Sequence, residues 1–378
     1  MNNNVDKMTP FIVMDVLERA NELQSRGIDI IHLEVGEPDF DMPQCAVRGA
    51  QRALTEGLTH YTHSLGLPEL RQAIASQYKR EYDVEISPEQ IALTCGSSQA
   101  ILMAIMLLAA HGDEVIMSDP GYACYSNFVL ACGATPVLVK LKAETGFQFD
   151  IELVKKAITP KTKAIIINSP MNPTGTILGS DVLRQLASLG IPIISDEIYH
   201  GLVYTDRADT ILQHTADAYV VNGFSKRYAM TGLRLGYLIA PMEQMRKIQT
   251  MQQNLFICAP SVAQHAALEA ITNGHEDVES MRRTYNERRK YLIGRLREIG
   301  FVIHTEPQGA FYILADAKRF TNDSYRFAFD VLEKAHVGIT PGIDFGDNGE
   351  GFVRFSYANS LDNIRTAMDR LQEYLSKT

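Results

Sequence analysis

Residues 164–175 read Ala164-Ile165-Ile166-Ile167-Asn168-Ser169-Pro170-Met171-Asn172-Pro173-Thr174-Gly175. The first part is a continuous apolar run, the pattern of a strand that is covered on both faces in a parallel sheet. The second part has two prolines and a glycine, which form a rigid turn. Open α/β sheets bind ligands beyond the carboxyl ends of their parallel strands. The stretch therefore predicts a buried strand that leads into a binding loop.

Similar β-branched runs alternate with helical segments between about residue 90 and residue 240. This alternation is typical of an α/β fold, and it predicts a large domain with a mostly parallel seven-stranded sheet flanked by helices. The run at 235–239 follows the preceding strand too closely for a crossover helix, so we expect it to be antiparallel. The strands are predicted at 91–94, 114–117, 136–139, 164–167, 192–194, 219–222 and 235–239.

After Pro241 the pattern becomes helical, and the final segment mixes strands with a closing helix, which predicts a smaller α+β domain. We expect a helix at 13–25 that packs against this domain or lies across the cleft. The other elements are predicted as helices at 242–254, 261–272, 278–299 and 361–375 and as strands at 310–314 and 352–357. The expected division is residues 1–45 for an N-terminal arm and part of the small domain, 46–275 for the large domain and 276–378 for the small C-terminal domain.

Composition and charge argue against several classes of protein. The 378 residues carry 36 Lys and Arg against 45 Asp and Glu, a net charge of −9 without basic blocks, so no nucleic-acid partner is expected. The longest apolar run, at 100–110, is too short to cross a bilayer, so no membrane partner is expected either. The start lacks the apolar core of a signal peptide, and the five cysteines form no C-x-x-C pair. We therefore expect a cytoplasmic protein with reduced thiols and no metal site.

Small residues follow the first predicted strand, where Ser97 and Ser98 open a long apolar helix. Free backbone N–H groups and the positive end of the helix dipole at this point favour a phosphate. A plain helix cap is the alternative interpretation. The dinucleotide fingerprint and the P-loop motif are both missing from the sequence, so a nicotinamide or nucleoside triphosphate enzyme is not indicated.

Chemically active side chains follow three other predicted strands. Asn172 is placed by the rigid turn, Asp196 ends a strand with Tyr199 three residues later, and Lys226 follows a buried run with Arg234 eight residues on. A lysine in that position is expected to be desolvated, with a lowered pKa that suits a nucleophile. The alternatives are a turn-forming asparagine, a helix-capping carboxylate and a solvated surface lysine.

Together these four sites resemble the pyridoxal-phosphate-dependent class I/II aminotransferases of the aspartate aminotransferase superfamily, which have fold type I. The resemblance covers nearly the whole chain, from residues 35–40 through 61–71 to 352–356. It implies an amino-acid:2-oxo-acid aminotransferase of amino-acid metabolism and biosynthesis. The amino group would pass through pyridoxal and pyridoxamine phosphate in a ping-pong exchange.

The resemblance also implies roles for individual residues. Lys226 matches the lysine that binds pyridoxal 5′-phosphate covalently and shuttles a proton. Asp196 matches the carboxylate that pairs with the pyridine nitrogen, and Tyr199 and Asn172 match the donors to the ring oxygen. The groups expected to hold the phosphate and to stack on the ring belong to Ser97, Ser98, Ser225, Arg234 and Tyr122.

Two further implications concern the partner and the substrate. Tyr61 matches the tyrosine that reaches the phosphate of the neighbouring subunit, which implies a homodimer with shared active sites. Arg354, aided by Gly36, matches the arginine that takes the α-carboxylate of the amino acid or 2-oxo acid. Phe11 and Ile12 are expected at the side-chain pocket.

The residue at position 98 separates this chain from some bacterial aspartate-specific relatives. Those proteins have a lysine in the loop after the first strand, where this chain has Ser98. The apolar residues expected at the pocket also favour alanine, branched or aromatic substrates over aspartate.

Two alternatives stay open at this point. A pyridoxal-phosphate-dependent lyase that catalyses β-elimination would use the same scaffold, because the cofactor supports both reactions. A non-catalytic homologue that binds the cofactor is the second alternative. Such a protein would be expected to lose Lys226, Asp196 or Arg354, and all three are present.

Overall fold

The structure is a computed structural model that describes residues 4–205 and 207–377. The α helices in these ranges are α1 (Ile12–Ser25), α2 (Gln44–Thr55), α3 (Pro68–Tyr82), α4 (Ser97–Leu108), α5 (Cys124–Ala131), α6 (Ile151–Ala157), α7 (Ser180–Ala187), α8 (Met245–Leu255), α9 (Ser261–Asn273), α10 (His275–Ile299), α11 (Ser324–Ala335) and α12 (Leu361–Leu375). The strands are β1 (Ile31–His32), β2 (Ile91–Thr94), β3 (Glu114–Asp119), β4 (Thr135–Lys140), β5 (Thr162–Asn168), β6 (Ile193–Asp196), β7 (Ala218–Gly223), β8 (Gly236–Ile239), β9 (Tyr312–Asp316), β10 (Val337–Gly338), β11 (Thr340–Pro341) and β12 (Phe352–Ser356).

The central sheet has seven strands in the order β2-β8-β7-β6-β5-β3-β4. Strand β8 is antiparallel to both of its neighbours, and the other pairs are parallel. The short connection at 224–235 explains the exception, because it has no room for a crossover helix. The predicted α/β class, the seven strands and the antiparallel strand at 235–239 are confirmed.

Strand β5 shows why an apolar run without alternation forms the middle of this sheet. Ile165 and Ile167 belong to the apolar cluster on one side, and Ala164 and Ile166 belong to the cluster on the other side. All four side chains are at most 1% exposed. Both faces of the sheet are therefore covered, as the sequence of this strand predicts.

The carboxyl ends of the parallel strands meet at one edge of the sheet. Asn168 at the end of β5 is in register with Asp196 at the end of β6. The Nδ2 of Asn168 donates to the backbone oxygen of Asp196 at 2.9 Å, so the two strand ends are tied together. This edge places the loops that follow β2, β5, β6 and β7 side by side.

A second, antiparallel sheet has the order β11-β12-β9 and shares one apolar cluster with α10, α11 and α12. Strand β9 begins two residues later than predicted, because Ala310 has a φ of 58°, outside the extended region. Helix α1 packs on α11, where Val16, Ala20 and Leu23 meet Leu332. The division at residues 45 and 275 stays a prediction.

Within residues 4–205 and 207–377, no helix combines the length and the apolar character needed to cross a bilayer.

Candidate active site

A cavity of about 340 Å³ lies where the carboxyl edge of the central sheet faces α1, β9 and β12. Of the fourteen residues that the sequence nominates for the site, twelve line this cavity. They are Phe11, Gly36, Ser97, Ser98, Tyr122, Asn172, Asp196, Tyr199, Ser225, Lys226, Arg234 and Arg354. The remaining two, Ile12 and Tyr61, lie elsewhere.

Asp196 is a buried carboxylate at the end of β6, 5% exposed. Tyr125 on α5 donates its phenol hydrogen to Oδ2 at 2.7 Å, and the amide of Ile198 donates to Oδ1 at 3.2 Å. Burial raises the pKa of Asp196 to about 6, because the charged form loses its water. The site thus holds an anion that a positively charged group in the cavity would stabilise.

Lys226 faces Asp196 from the loop after β7, and its Nζ donates to the backbone oxygen of Gly36 at 2.6 Å. Enclosure by the protein lowers the pKa of Lys226 to about 8, as the sequence predicts for a desolvated amine. A neutral amine is a nucleophile and a base, so Lys226 is placed for both kinds of chemistry near neutral pH.

The first turn of α4 and Arg234 form the opposite end of the cavity. Gly96 caps α4 with a φ of 82°, and a Cβ at this position would lie 2.6 Å from an Nη atom of Arg234. Glycine therefore lets the guanidinium approach the helix N-terminus. Ser97, Ser98 and Ser225 add hydroxyl groups to the same lining. Converging hydrogen-bond donors at the positive end of a helix suit a phosphate dianion.

Arg354 on β12 is buried, 2% exposed, although it carries a full charge. Its Nη1 donates to Oδ1 of Asn172 at 3.0 Å, and its Nη2 donates to the backbone oxygen of Glu34 at 2.5 Å. Its guanidinium lies 4.3 Å from the ring centre of Tyr312. In the part of the chain that the structure describes, no carboxylate forms an ion pair with Arg354. A buried cation without an anionic partner is ready for the carboxylate of a ligand.

Helix α1 forms the apolar wall of the cavity through Val13, Met14 and Leu17. Just before it, Phe11 packs edge-on against Tyr122, with 5.9 Å between the ring centres. The structure differs from the prediction for Ile12, which is the first residue of α1 and does not line the cavity. Its amide instead donates to Oδ1 of Asp344 at 2.8 Å, and the helical repeat turns the next positions towards the cavity.

Tyr61 lies in the segment between α2 and α3 and is 84% exposed. It does not reach the cavity of its own chain. The contact of Tyr61 with a neighbouring subunit stays a prediction.

Tyr125, Tyr312 and Asp344 are among the residues at or around the cavity that were missed from the sequence. Tyr125 stands three residues after Tyr122, and that spacing could have suggested a shared helix face. Tyr312 and Asp344 have no such signal, because they come from the C-terminal part of the chain and reach the site through tertiary packing.

The chain belongs to the class I and II aminotransferase family, which it matches over residues 28–371. It is 41% identical to (5-formylfuran-3-yl)methyl phosphate transaminase of Methanocaldococcus jannaschii, over 97% of each chain. It is 37% identical to aspartate/prephenate aminotransferase of Thermus thermophilus, over 100% of this chain and 99% of the relative. The structure of aspartate aminotransferase from Thermus thermophilus with maleate is similar, with a TM-score of 0.94, 37% identity and 98% of each chain covered.

These relatives establish the class of the enzyme. It is a pyridoxal-phosphate-dependent aminotransferase that acts on amino acids and 2-oxo acids. The relatives are named as amino-group transferases, so β-elimination gains no support from them.

The residues of the cavity fit pyridoxal phosphate. A buried carboxylate at Asp196 suits a protonated ring nitrogen, and an amine with a lowered pKa at Lys226 suits an aldehyde. The close approach of Arg234 to Gly96 forms a cradle that any larger residue at position 96 would fill.

Proposed function

We propose that this aminotransferase acts as a homodimer on amino acids with large apolar or aromatic side chains. The observation that carries the proposal is the distribution of charge in the cavity. Among the described residues that line it, the cations are Lys226, Arg234 and Arg354. Each of the three has a role at the cofactor or at the α-carboxylate, so none is left for a second carboxylate on the substrate.

At the cofactor, each role follows from the chemistry of a side chain. Pyridoxal phosphate supplies an electron sink for the bond that breaks at the α-carbon of the substrate. Asp196 keeps the ring nitrogen protonated, and Lys226 moves the proton at the α-carbon through its Nζ. Tyr199 and Asn172 would donate to the ring oxygen. The phosphate would be held by Ser97, Ser98, Ser225 and Arg234, and Tyr122 would pack on the ring.

Arg354 binds the α-carboxylate through its guanidinium. The side chain of the substrate then points towards α1, where Val13, Met14 and Leu17 offer apolar contacts. Glu37 also lines the cavity and would repel a second carboxylate. The proposal separates this chain from relatives that are named for aspartate, a dicarboxylic amino acid.

A panel of amino acids with 2-oxoglutarate as acceptor tests the substrate class. We expect kcat/KM for phenylalanine and leucine to exceed that for aspartate by about tenfold or more, because an apolar wall cannot pair a carboxylate. Met14→Arg should move the preference towards aspartate. Asn21→Arg adds the same charge to the exposed face of α1 and should leave the preference unchanged. An equal or higher kcat/KM for aspartate in the wild type would overturn this part of the proposal.

The homodimer is supported by Tyr61 and its surroundings. The segment that carries Tyr61 contacts α8, since His63 and Gln249 are within 3.4 Å. Leu58 lies in the same segment as Tyr61 and is 38% exposed. Leu255, the last residue of α8, is 52% exposed. A second copy of the chain would cover these apolar side chains.

Mixed dimers provide a direct test of shared sites. Tyr61→Ala should weaken cofactor binding, and Lys226→Ala should abolish transfer. When the two variants are unfolded and refolded together, some dimers combine an intact Lys226 with an intact Tyr61 in one site. We expect activity above that of either variant alone. No gain on mixing, or an active monomer in sedimentation, would contradict the shared site.

The free cysteines support a reducing compartment. All five, Cys45, Cys95, Cys124, Cys132 and Cys258, are unpaired. We therefore propose a cytoplasmic location, in keeping with a role in amino-acid biosynthesis.

A further inference from the structure

We propose that Tyr312 is a positioning residue that acts on both ends of the site, through its hydroxyl at the cofactor end and through its ring at the substrate end. The proposal rests on the proposed role of Tyr199 at the ring oxygen, and Tyr312 itself was not predicted from the sequence. Tyr312 lies on β9, 1% exposed, and it lines the cavity.

The hydroxyl of Tyr312 contacts the hydroxyl of Tyr199 at 2.9 Å. Tyr199 is 4% exposed, so this hydrogen bond is sheltered from water. It joins β9 of the small sheet to the loop after β6 of the central sheet. Tyr312 therefore touches, from across the cavity, the side chain that is to donate to the ring oxygen of the cofactor.

The local backbone leaves room for this contact. A Cβ at Gly36 would lie 2.5 Å from the hydroxyl oxygen of Tyr312. The backbone oxygen of the same glycine accepts the hydrogen bond from Lys226. The phenol of Tyr312 thus occupies a space that only glycine at position 36 provides, and the same glycine contacts the reactive amine.

The ring of Tyr312 has a separate contact. The guanidinium carbon of Arg354 lies 4.3 Å from the ring centre, and the ring of Phe345 lies 5.0 Å from the same carbon. Both rings attract the guanidinium by cation–π interaction, in addition to its hydrogen bonds to Asn172, Glu34 and Thr340. The ring therefore orients the guanidinium, whereas the hydroxyl acts on Tyr199.

The direction of the hydrogen bond follows from a count of hydrogens. Each phenol has one hydrogen to donate. When Tyr199 donates its hydrogen to the cofactor, Tyr312 must be the donor between the two phenols. Donation into Tyr199 makes it a stronger donor in turn, because hydrogen bonds in a chain polarise one another. Tyr312 thereby favours the ionised ring oxygen of the bound cofactor.

Two substitutions separate the hydroxyl from the ring. In the holoenzyme, Tyr312→Phe should raise the pH midpoint of the visible absorbance of the lysine-bound cofactor by about half a unit to one unit. KM for the amino acid should stay within about twofold, because the ring remains under Arg354. Tyr312→Leu should raise the midpoint similarly and also raise KM by about tenfold.

Tyr357→Phe is the matched control. Tyr357 is fully buried in the same apolar cluster, and its hydroxyl donates to the backbone oxygen of Ala310 at 3.2 Å, away from the cavity lining. The control should leave both the midpoint and KM unchanged. An equal shift in Tyr357→Phe would mean a general packing effect and would overturn the proposal.

The spectral midpoint of Tyr312→Phe can also contradict the proposal in two other ways. An unchanged midpoint in Tyr312→Phe would show that the hydroxyl has no effect on the cofactor. A lowered midpoint would show that Tyr199 donates to Tyr312, the reverse of the proposed direction. If the wild type formed no lysine-linked visible band, the proposed role of Lys226 at the cofactor would be refuted instead. A normal wild-type band with no shift in the variant would refute only the inference about Tyr312.

Discussion

The cavity has two walls that are built in different ways. The sheet wall consists of residues at or beyond the carboxyl ends of the central strands, namely Ser97, Ser98, Asn172, Asp196, Tyr199, Ser225, Lys226 and Arg234. The cap wall consists of α1, Gly36, Tyr312 and Arg354. The position of each residue in the sheet wall is set by the central strand that precedes it in the sequence. The cap wall depends on contacts between distant segments, such as the hydrogen bond between Ile12 and Asp344, which are 332 positions apart.

The comparison suggests a division of labour. The sheet wall carries the groups proposed for the cofactor, and the cap wall carries those proposed for the substrate. Substitutions in the first wall should therefore change the visible spectrum of the holoenzyme, and substitutions in the second should change KM. Tyr312 is the exception, because its hydroxyl contacts Tyr199 of the sheet wall and its ring contacts Arg354. The four predictions below test this division.

Lys226→Ala should have the largest effect. The variant lacks both the nucleophile and the proton carrier, so we expect kcat to fall by more than about 10³-fold and the lysine-linked visible band to disappear. Absorbance spectroscopy and single-turnover kinetics measure the two effects. Lys247→Ala, at an exposed position on α8, serves as the control. Retention of the band would mean that another group binds the cofactor.

Arg354→Lys should affect the substrate and spare the cofactor. A lysine cannot pair with a carboxylate through two parallel hydrogen bonds, and it loses the contact with the ring of Tyr312. We expect KM for the amino acid to rise roughly 30-fold to 1,000-fold, equivalent to about 2–4 kcal/mol, with the visible band intact. Loss of the visible band at an unchanged KM would contradict the assignment of Arg354 to the cap wall.

Asp196→Asn should weaken the cofactor complex while it stabilises the cofactor-free protein. The pKa of Asp196 is raised from 3.8 to about 6, so the folded protein binds more protons than the unfolded chain between these values. Stability from this group is present below pH 4 and is lost as the pH rises through about 6. The asparagine removes this loss, which is of order 1–3 kcal/mol at pH 7.

Urea unfolding of the cofactor-free protein at pH 5 and pH 7.5 measures this effect. The advantage of Asp196→Asn over the wild type should grow between the two values. For the cofactor affinity, Glu197→Gln is the matched control, because Glu197 is the next residue and is also buried, but it is not among the residues that line the cavity and it accepts hydrogen bonds from Thr210 and Ile211. The control should keep the cofactor affinity of the wild type. Equal losses of cofactor affinity in both variants would argue against a specific role for Asp196.

Asp344→Asn should have the smallest effect. Its carboxylate accepts from the amides of Ile12 and Val13 at 2.8 and 3.3 Å, and so holds the N-terminus of α1. Loss of a charged cap costs about 0.5–2 kcal/mol. We expect a rise of several-fold in KM for apolar amino acids without a spectral change. Asp15→Asn removes an exposed acid from the same helical turn and should leave KM unchanged.

The sheet wall was largely predictable from the sequence, and the cap wall was not. Asp196 and Lys226 were nominated because a polar residue after a buried strand must lie at the carboxyl edge of the sheet. Their presence in one cavity follows from the parallel pairing of β5, β6 and β7. The antiparallel course of β8 was predictable for a similar local reason, the short connection that precedes it.

The errors in the cap wall have a common physical cause. The family resemblance indicated an apolar N-terminal segment near the pocket, but the rotation of α1 about its axis depends on Asp344, whose carboxylate accepts from the amide of Ile12. The prediction therefore placed Ile12 at the cavity instead of Val13, Met14 and Leu17. Tyr312 was missed because nothing near it in the sequence indicates that its hydroxyl meets Tyr199. Arg354 was found only through the family resemblance.

The bond between Ile12 and Asp344 also has a consequence for biosynthesis. A ribosome adds about 5–20 residues per second, so α1 emerges roughly 20–70 seconds before the carboxylate that holds it. During that interval the strands of the central sheet are completed, since β8 ends at Ile239. The nascent protein can thus assemble the wall for the cofactor first. The wall that selects the amino acid is the last part of the active site to form during translation.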